Sequence, residues 1–203
     1  MQGKDWLVTT DGKYLACKSV RAWDLITENY RLYRFLTELE DILRKQLEEN
    51  NYLAEIRQLV RRLLVNSYWV KTQHPEPDSK TGTSVKLLYD ELGFPFTVQT
   101  VTFISGTQSN IHNHGTWGIV AVLKGKEKNT IWKRNPTAEY PDKIEPAGEI
   151  ILTPGDIVSF APGAIHSVEA VSDEPTVTFN LYGETKSKER FAFDTVRHTA
   201  KNF

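Results

Sequence analysis

The sequence contains a single cysteine, Cys17, among 203 residues. One cysteine cannot form a disulfide within the chain, which excludes a disulfide scaffold and fits a reducing compartment. The chain also lacks an apolar run that approaches the length of a membrane span, and its first residues, MQGKDWLVTTDGK, hold no apolar signal segment. These absences predict a soluble cytoplasmic protein that does not bind membranes.

An excess of charge of one sign is absent as well. Lys and Arg total 25, Asp and Glu total 26, and the formal net charge is -1. Because this balance would not attract a polyanion, nucleic acid is not an expected partner. The length suits one compact unit with a sizeable core. We expect small-molecule partners and a monomer or homodimer.

Helical periodicity dominates the first part of the chain. Apolar residues recur at three- and four-residue steps over Arg21–Glu49, and the same period continues over Tyr52–Tyr68. These patterns predict two amphipathic helices, preceded by a loose segment or short hairpin over residues 1–18. Three arginines of the second helix are expected on a solvated face: Arg57, Arg61 and Arg62.

A change of composition follows the helices. Residues 72–83 are rich in proline and small polar residues, which predicts a loop. Ser84–Leu92 is expected to form a short third helix that Gly93 ends. His74 in the loop and His198 near the end of the sequence are each expected to be solvated rather than to bind a metal.

From Phe96 onward, short runs of β-branched and aromatic residues alternate with Gly, Pro and Asp. Seven runs have this character: FTVQTVTFI, TWGIVAVLK, NTIWKR, GEIILT, DIVSFA, IHSVEAV and TVTFNLY. Strands at this spacing predict an antiparallel sandwich or barrel, and FAFD near the end adds a closing strand.

Two histidines, His112 and His114, stand two positions apart in NIHNHGTWG. On a strand, residues i and i+2 point to the same face, so both imidazoles can reach one ion. His166, which follows the turn at Pro162 and Gly163, is a candidate for a third nitrogen donor. Neutral imidazoles favour iron, copper, nickel or zinc over magnesium or calcium. The three histidines therefore predict a metal site.

The stretches around these histidines resemble the two motifs of the cupin superfamily. The matching residues are Gly106, His112, His114 and Gly125 in the first motif and Gly155, Pro162, Gly163 and His166 in the second. One residue is inserted before the proline, and Ala170 stands where the second motif usually closes with Asn. The resemblance implies a cupin β-barrel (double-stranded β-helix or jelly roll) over residues 86–203, with an N-terminal helical segment, residues 1–85, packed on it.

The acid that usually follows the second histidine of the first motif is missing, because Gly118 and Ile119 occupy its position. A three-histidine cupin without this acid is similar to the thiol dioxygenases, the family of cysteine dioxygenase and 3-mercaptopropionate dioxygenase. The resemblance covers roughly residues 86–194. It implies Fe(2+) as cofactor, with another divalent metal such as Zn or Ni in the purified protein, and a small thiol that O2 converts to a sulfinic acid.

The same resemblance assigns further site residues. Tyr182 falls at the position of the active-site tyrosine, and Gly118 stands where animal cysteine dioxygenases carry a cysteine cross-linked to it, so no cross-link can form here. Thr178 and Asn180 replace the Ser and His that usually share a strand face with this tyrosine. Asn180 can hydrogen-bond the phenol but cannot relay a proton near neutral pH.

A carboxylated thiol also needs a cation. Arg190 resembles an arginine of the mercaptopropionate branch, and Lys86 lies near the position of an arginine in cysteine dioxygenases, although each could instead be a surface residue. Trp117 either walls the pocket or belongs to the core. Two other functions remain open: a metal-binding cupin that senses or carries a small molecule, and a cupin isomerase or oxygenase of another kind.

Overall fold

The computed structural model describes residues 3–20, 25, 30–45, 48–92 and 95–203. Its strands are β1 (Asp5–Val8), β2 (Tyr14–Cys17), β3 (Thr83–Tyr89), β4 (Phe96–Phe103), β5 (Ile111–His112), β6 (Gly118–Lys124), β7 (Glu127–Arg134), β8 (Ile144–Leu152), β9 (Ile157–Phe160), β10 (Ile165–Ala170), β11 (Thr176–Gly183), β12 (Phe191–Asp194) and β13 (Thr199–Asn202). Its helices are α1 (Leu32–Arg44), α2 (Glu49–Asn66) and α3 (Tyr68–Thr72), and a 3-10 turn spans Ser187–Glu189.

The described strands form two facing sheets. One has the order β2-β1-β9-β6-β11-β4-β3 and the other the order β13-β12-β5-β10-β7-β8. The central quartets, β4-β11-β6-β9 and β5-β10-β7-β8, have the strand order of a jelly roll, in which successive strands alternate between the sheets apart from one hairpin. The mainly β fold with N-terminal helices and a double-stranded β-helix is therefore confirmed.

The seven predicted strands all form, as β4 and β6 to β11. The predicted N-terminal hairpin forms as well: β1 pairs antiparallel with β2, and Gly12 in its turn has a φ of +78°, a conformation that glycine adopts without strain. Strand β1 also pairs with β9, so this hairpin extends the barrel sheet. The predicted division of the chain at residue 85 stays a prediction, and β3 runs through it.

The helices cover the outer face of the seven-stranded sheet. Phe35 of α1 meets Phe179 of β11 edge to face, with ring centroids 6.2 Å apart. Other residues of this seven-stranded sheet, such as Val120 of β6 and Phe160 of β9, project from its opposite face toward the second sheet. Because both faces of the central strands are covered, the near-continuous apolar run of β6 is buried on either side. Helix α1 is shorter than predicted, because residues 30, 31 and 45 lie outside it. Residues 21–24, 26–29 and 46–47 of the expected range lie outside the described residues.

The expectation that the arginines of α2 are solvated is wrong for two of them. Arg57 is 5% exposed and donates to Ser159 Oγ at 2.6 Å, and Arg61 is 6% exposed and forms an ion pair with Asp5. Their side chains point from α2 to β1 and β9, where the helix packs on the sheet. Arg62, which is half-buried, remains on the helix surface. The apolar period located the helix correctly but did not show that charged side chains also fill the interface.

The predicted third helix is also wrong, because Thr83–Tyr89 forms β3 and pairs antiparallel with β4. A nine-residue helix has little intrinsic stability, whereas β4 offers a row of unpaired backbone groups to a neighbouring strand. Gly93, the expected end of the helix, lies outside the described residues. In the part of the chain that the structure describes, no helix is both long and apolar enough to cross a membrane.

The buried ion pair between Asp5 and Arg61 should be important for stability. Asp5→Ala leaves a buried guanidinium without its partner, so we expect the free energy of unfolding to fall by about 3–5 kcal/mol. Arg44→Ala is the control, since its pair with Glu40 lies on the exposed face of α1 and should contribute no more than about 0.5 kcal/mol. Urea unfolding measures both changes, and equally small effects would contradict this account of the interface.

Candidate metal centre

The three predicted histidines meet inside the jelly roll. His112 ends β5 and pairs directly with His166 on β10, and the ligand nitrogens of these two residues and His114 lie within 4.8 Å of one another. The sequence predicted that both histidines lie on one strand. Strand β5 ends at His112, however, and His114 reaches the group from the following loop. Gly115, with a φ of +65°, turns the chain immediately after it. The alternation predicted the convergence, although the backbone achieves it differently.

The spacing of the nitrogens fits a shared divalent ion. His114 Nε2 and His166 Nε2 are 3.1 Å apart. Two nitrogens that each lie about 2.1 Å from one ion are about 3 Å apart at a right angle. Among the described residues, the potential ligand group contains these three histidines and no carboxylate. The donor set therefore suits a metal that accepts imidazole ligands.

Burial keeps these imidazoles in the form that binds metal. It lowers the pKa of His112, and it holds the pKa of His114 and of His166 well below the ordinary histidine value, with the neighbouring imidazoles adding to the effect. A neutral imidazole has a free lone pair on one ring nitrogen, whereas imidazolium has none. All three rings are thus prepared to donate to a cation near neutral pH.

Hydrogen bonds orient two of the rings. His112 Nδ1 lies 2.8 Å from the carbonyl oxygen of Asn110, and His166 Nδ1 lies 2.8 Å from Asn129 Oδ1. Both partners are acceptors, so each Nδ1 carries the hydrogen and each Nε2 is left free for a metal. His114 Nδ1 is buried and has no hydrogen-bond partner in the described structure.

Tyr182 stands beside the histidines at the end of a hydrogen-bonded chain. Its ring meets His114 at a centroid distance of 4.9 Å, and its hydroxyl donates to Asn180 Oδ1 at 3.0 Å. Asn180 Nδ2 in turn donates to Thr178 Oγ1 at 2.8 Å. Burial raises the pKa of Tyr182, and the nearby Glu127 carboxylate adds to this effect. The phenol therefore keeps its proton at neutral pH.

Gly118 leaves no room for a side chain beside this tyrosine. A Cβ at this position would lie 2.9 Å from His114 Nδ1 and 3.1 Å from both Cδ1 and Cε1 of Tyr182. Residue 118 therefore lies in direct contact with the tyrosine ring. The close contact also means that the metal ligand and the phenol pack directly against the β6 backbone.

A cavity of about 300 Å³ opens onto two of the histidines, His112 and His114. Its lining residues are Thr97, Gln99, His112, His114, Tyr182, Thr185 and Arg190. Sequence reasoning missed Thr97, Gln99 and Thr185. In FTVQ the polar positions look solvent-facing, because the alternating Phe96 and Val98 pack into the core under the helices. Only the pairing of β4 with β11, which places Gln99 opposite Asn180, shows that these positions face the barrel interior.

Arg190 lies in this cavity, and no acidic side chain among the described residues forms an ion pair with it. Its Nε is buried without a hydrogen-bond partner, and its guanidinium lies over the ring of Phe203 at 4.2 Å. The Phe203 ring also meets His112 edge to face at 6.0 Å. A cation held in this way beside the histidines is available to an anionic ligand.

Lys86 and Trp117, the other two candidates for the substrate site, lie elsewhere, and each takes the alternative that the sequence left open. Lys86 is opposite Thr100 on the outer face of the sheet, is exposed, and donates to Gln73 Oε1 at 2.8 Å. Trp117 is buried under the helices against Tyr52, at a centroid distance of 6.2 Å. Neither lines the cavity, because each projects from the sheet on the side away from the barrel interior.

The remaining two histidines, His74 and His198, do not belong to the cluster of His112, His114 and His166. His74 is exposed, as predicted. His198 is half-buried and packs on Tyr140 with ring centroids 4.8 Å apart, so the expectation that it is solvated is only partly met.

Two buried polar residues behind His166 were also missed. Asn129 is 0% exposed and Glu127 is 2% exposed, and Asn129 Nδ2 donates to Glu127 Oε1 at 2.7 Å. Burial raises the pKa of Glu127 to about 7. In the sequence, KEKNTIW looks like the solvated start of a hairpin strand, and nothing in it distinguishes these two residues from their exposed neighbours.

No model of a known protein family matches the sequence. Similar solved structures include an oxalate oxidase in complex with glycolate, at 14% identity and a TM-score of 0.42 over 57% of each chain. A cupin superfamily protein from Desulfitobacterium hafniense DCB-2 matches at 10% identity and a TM-score of 0.42, over 59% of this chain and 90% of that one. The cupin domain of an XRE family transcriptional regulator from Enterobacter cloacae matches at 18% identity and a TM-score of 0.39, over 52% of this chain and 99% of that one.

Gly118→Ala tests the packing of the site. The added methyl group must displace His114 or Tyr182, so we expect cobalt(II) affinity to fall by roughly tenfold or more. Ala121→Gly is the control, because Ala121 lies on the same strand but faces the helices and should weaken the fold without changing affinity. Anaerobic titration with cobalt(II) measures both, and unchanged affinity in Gly118→Ala would show that the ligands tolerate the shift.

Glu127→Gln should change how stability depends on pH. Because the folded-state pKa of Glu127 is raised from 4.5 to about 7, the folded protein holds a proton that the unfolded chain releases, and the free energy of unfolding falls as pH rises across that interval. The variant loses this slope. At pH 8 it should be more stable than the wild type by up to about 3 kcal/mol, and at pH 4.5 the two should be equal. Urea unfolding of the metal-free proteins measures the difference, and a difference that does not vary with pH would refute the assignment.

Proposed function

We propose that this protein is a cupin-type, iron(II)-dependent thiol dioxygenase that oxidises a small carboxylated thiol, of the cysteine or 3-mercaptopropionate class, to its sulfinic acid. The observation that carries the proposal is a cluster of three imidazoles without a carboxylate, two of which, those of His112 and His114, line a cavity together with Tyr182 and Arg190. In the part of the chain that the structure describes, Arg190 has no acidic partner. A ferrous ion held by His112, His114 and His166 would supply open positions for the thiol sulfur and dioxygen. Both oxygen atoms then end on sulfur, so the thiol and O2 together account for all atoms of the sulfinic acid.

The missing acid supports an anionic substrate. Three neutral imidazoles leave the full charge of a divalent ion to be compensated by whatever binds next. A thiol bound to a metal loses its proton, and the resulting thiolate provides a negative charge. A protein carboxylate in the same shell would reduce the need for that charge. The three-imidazole ligand set therefore favours a negatively charged thiolate over a neutral ligand.

Arg190 would bind the carboxylate of the substrate. Its guanidinium can form two parallel hydrogen bonds to a carboxylate, and its buried Nε has no partner in the described structure. Gln99, Thr97 and Thr185 line the same cavity and offer neutral hydrogen-bonding groups. A cavity of about 300 Å³ is at the small end of ligand sites, which suits a compact thiol.

Tyr182 would position the bound substrate or oxygen through its hydroxyl. The phenol is protonated and is held by Asn180, which takes the place that an imidazole fills in the thiol dioxygenases the sequence resembles. An amide can hold this hydroxyl in place but cannot exchange protons with it near neutral pH. We therefore expect the tyrosine to act as a fixed hydrogen-bonding group, and Gly118 leaves its ring free of a cross-link.

Oxygen uptake by the iron-loaded protein tests the activity. Protein loaded with Fe(II) under anaerobic conditions should consume oxygen and form sulfinate with cysteine or 3-mercaptopropionate, and cysteamine, which lacks the carboxylate, should be the poorer substrate. Iron-loaded protein that consumes no oxygen with any of these thiols would contradict the proposal and favour a cupin that binds metal without turnover.

Arg190→Gln tests the assignment of the carboxylate site. Loss of a charged hydrogen-bonding partner should raise KM for the carboxylated thiol by roughly 10- to 100-fold while changing KM for cysteamine little. Lys86→Gln is the control, because Lys86 lies on the outer face of the sheet and its removal should leave both values unchanged. Equal effects of Arg190→Gln on thiols with and without a carboxylate would exclude Arg190 from this role.

A further inference from the structure

We infer that Asn129 and Glu127 form a buried pair that fixes the tautomer of His166 and so keeps its Nε2 available to a metal ion. The inference rests on the metal site of the proposed function, but it concerns residues that lie behind the ligand and do not touch the substrate cavity. Asn129 and Glu127 are thus positioning residues for His166.

The three residues form a continuous buried chain. Asn129 and Glu127 occupy alternate positions on β7, so both side chains face the barrel interior beside β10. Asn129 Oδ1 lies 2.8 Å from His166 Nδ1, and Asn129 Nδ2 lies 2.7 Å from Glu127 Oε1. None of the three side chains is more than 2% exposed. Water therefore cannot replace one of these partners at low cost.

Glu127 determines which way the amide of Asn129 points. An asparagine side chain has an oxygen that accepts and an NH2 group that donates, and both need partners when they are buried. An ionised Glu127 has only accepting oxygens, so the NH2 group turns toward it and the amide oxygen turns toward His166. With the amide reversed, the NH2 group would face His166 Nδ1.

The orientation of the amide then determines the chemistry of His166. An amide oxygen at Nδ1 requires the ring hydrogen at Nδ1 and leaves the lone pair on Nε2, which faces the other histidines. A reversed amide would donate to Nδ1 and leave the hydrogen on Nε2, where it would block a metal. The Glu127 carboxyl thus acts on the metal ligand through one intervening side chain.

The other two ligands do not depend on a side chain in this way. His112 faces the backbone carbonyl of Asn110, which cannot reverse, and His114 Nδ1 has no partner in the described structure. His166 is therefore the ligand whose tautomer can be changed by substituting a side chain behind it.

The tautomer of His166 can be measured without metal. Nitrogen-15 NMR of the metal-free protein should show His166 with hydrogen on Nδ1. In Asn129→Leu, which has no acceptor, a measurable fraction of the hydrogen should move to Nε2, whereas Asn129→Asp keeps an accepting oxygen and should retain the wild-type form. A wild-type spectrum with the hydrogen on Nε2 overturns the inference, whether or not the variants fold.

Metal affinity provides the second measurement. Asn129→Leu should weaken cobalt(II) binding by roughly 10- to 100-fold, Glu127→Leu should weaken it in the same direction, and Asn129→Asp should restore most of the affinity. Ile131→Val is the matched control, because Ile131 is the next inward residue of β7 and makes no hydrogen bond through its side chain. Wild-type affinity in a folded Asn129→Leu protein would overturn the inference. If the wild type itself bound no metal, the proposed function would fail, while the NMR measurement would still decide the tautomer.

Discussion

The arrangement of the site depends on holding three imidazoles together in a buried space without an acid. Imidazolium ions would lose their hydration there and also repel one another, which is why the pKa values of His114 and His166 lie well below the ordinary value. Neutral rings at this separation still need defined tautomers and little freedom to rotate. The Asn110 carbonyl, the Asn129 amide and the bare backbone at Gly118 each meet part of that requirement.

The position of the helices explains how the barrel interior can be so polar. Helices α1 and α2 bury the outward residues of β11 and β6, such as Phe179 and Ile119, in a core of their own. The inward residues of β11, Thr178, Asn180 and Tyr182, are then free to be polar, because the sheet does not rely on them for apolar burial. A second apolar core, which includes Phe160, fills the space nearer to β9. On β11, the polar residues of the site and the apolar residues that pack under the helices therefore lie on opposite faces of the strand.

Much of the fold and the histidine cluster could be predicted because their signals are local. Alternation and turn residues identified seven strands, and the two histidines beside a glycine-framed turn, together with His166, identified the cluster. What could not be predicted depends on partners distant in sequence. Residues 83–89 became a strand because β4 offered an edge, Arg57 and Arg61 became buried because α2 docks on β9, and Gln99 faces the cavity because β4 lies beside β11. No local pattern contains that information.

Asn113, the residue between His112 and His114, connects the histidine cluster to the segment that carries Arg190. Asn113 donates to the backbone oxygen of Glu189 at 2.8 Å and accepts from the backbone N–H of Phe191 at 2.7 Å. These two residues flank Arg190, so the side chain that separates the metal ligands also holds the segment that carries the guanidinium. Asn113 therefore ties the backbone on both sides of Arg190 to the loop between the two histidines. In the proposed enzyme, a substrate would be bound by sulfur at one end and by carboxylate at the other, and this connection would favour one length of the carbon chain between them.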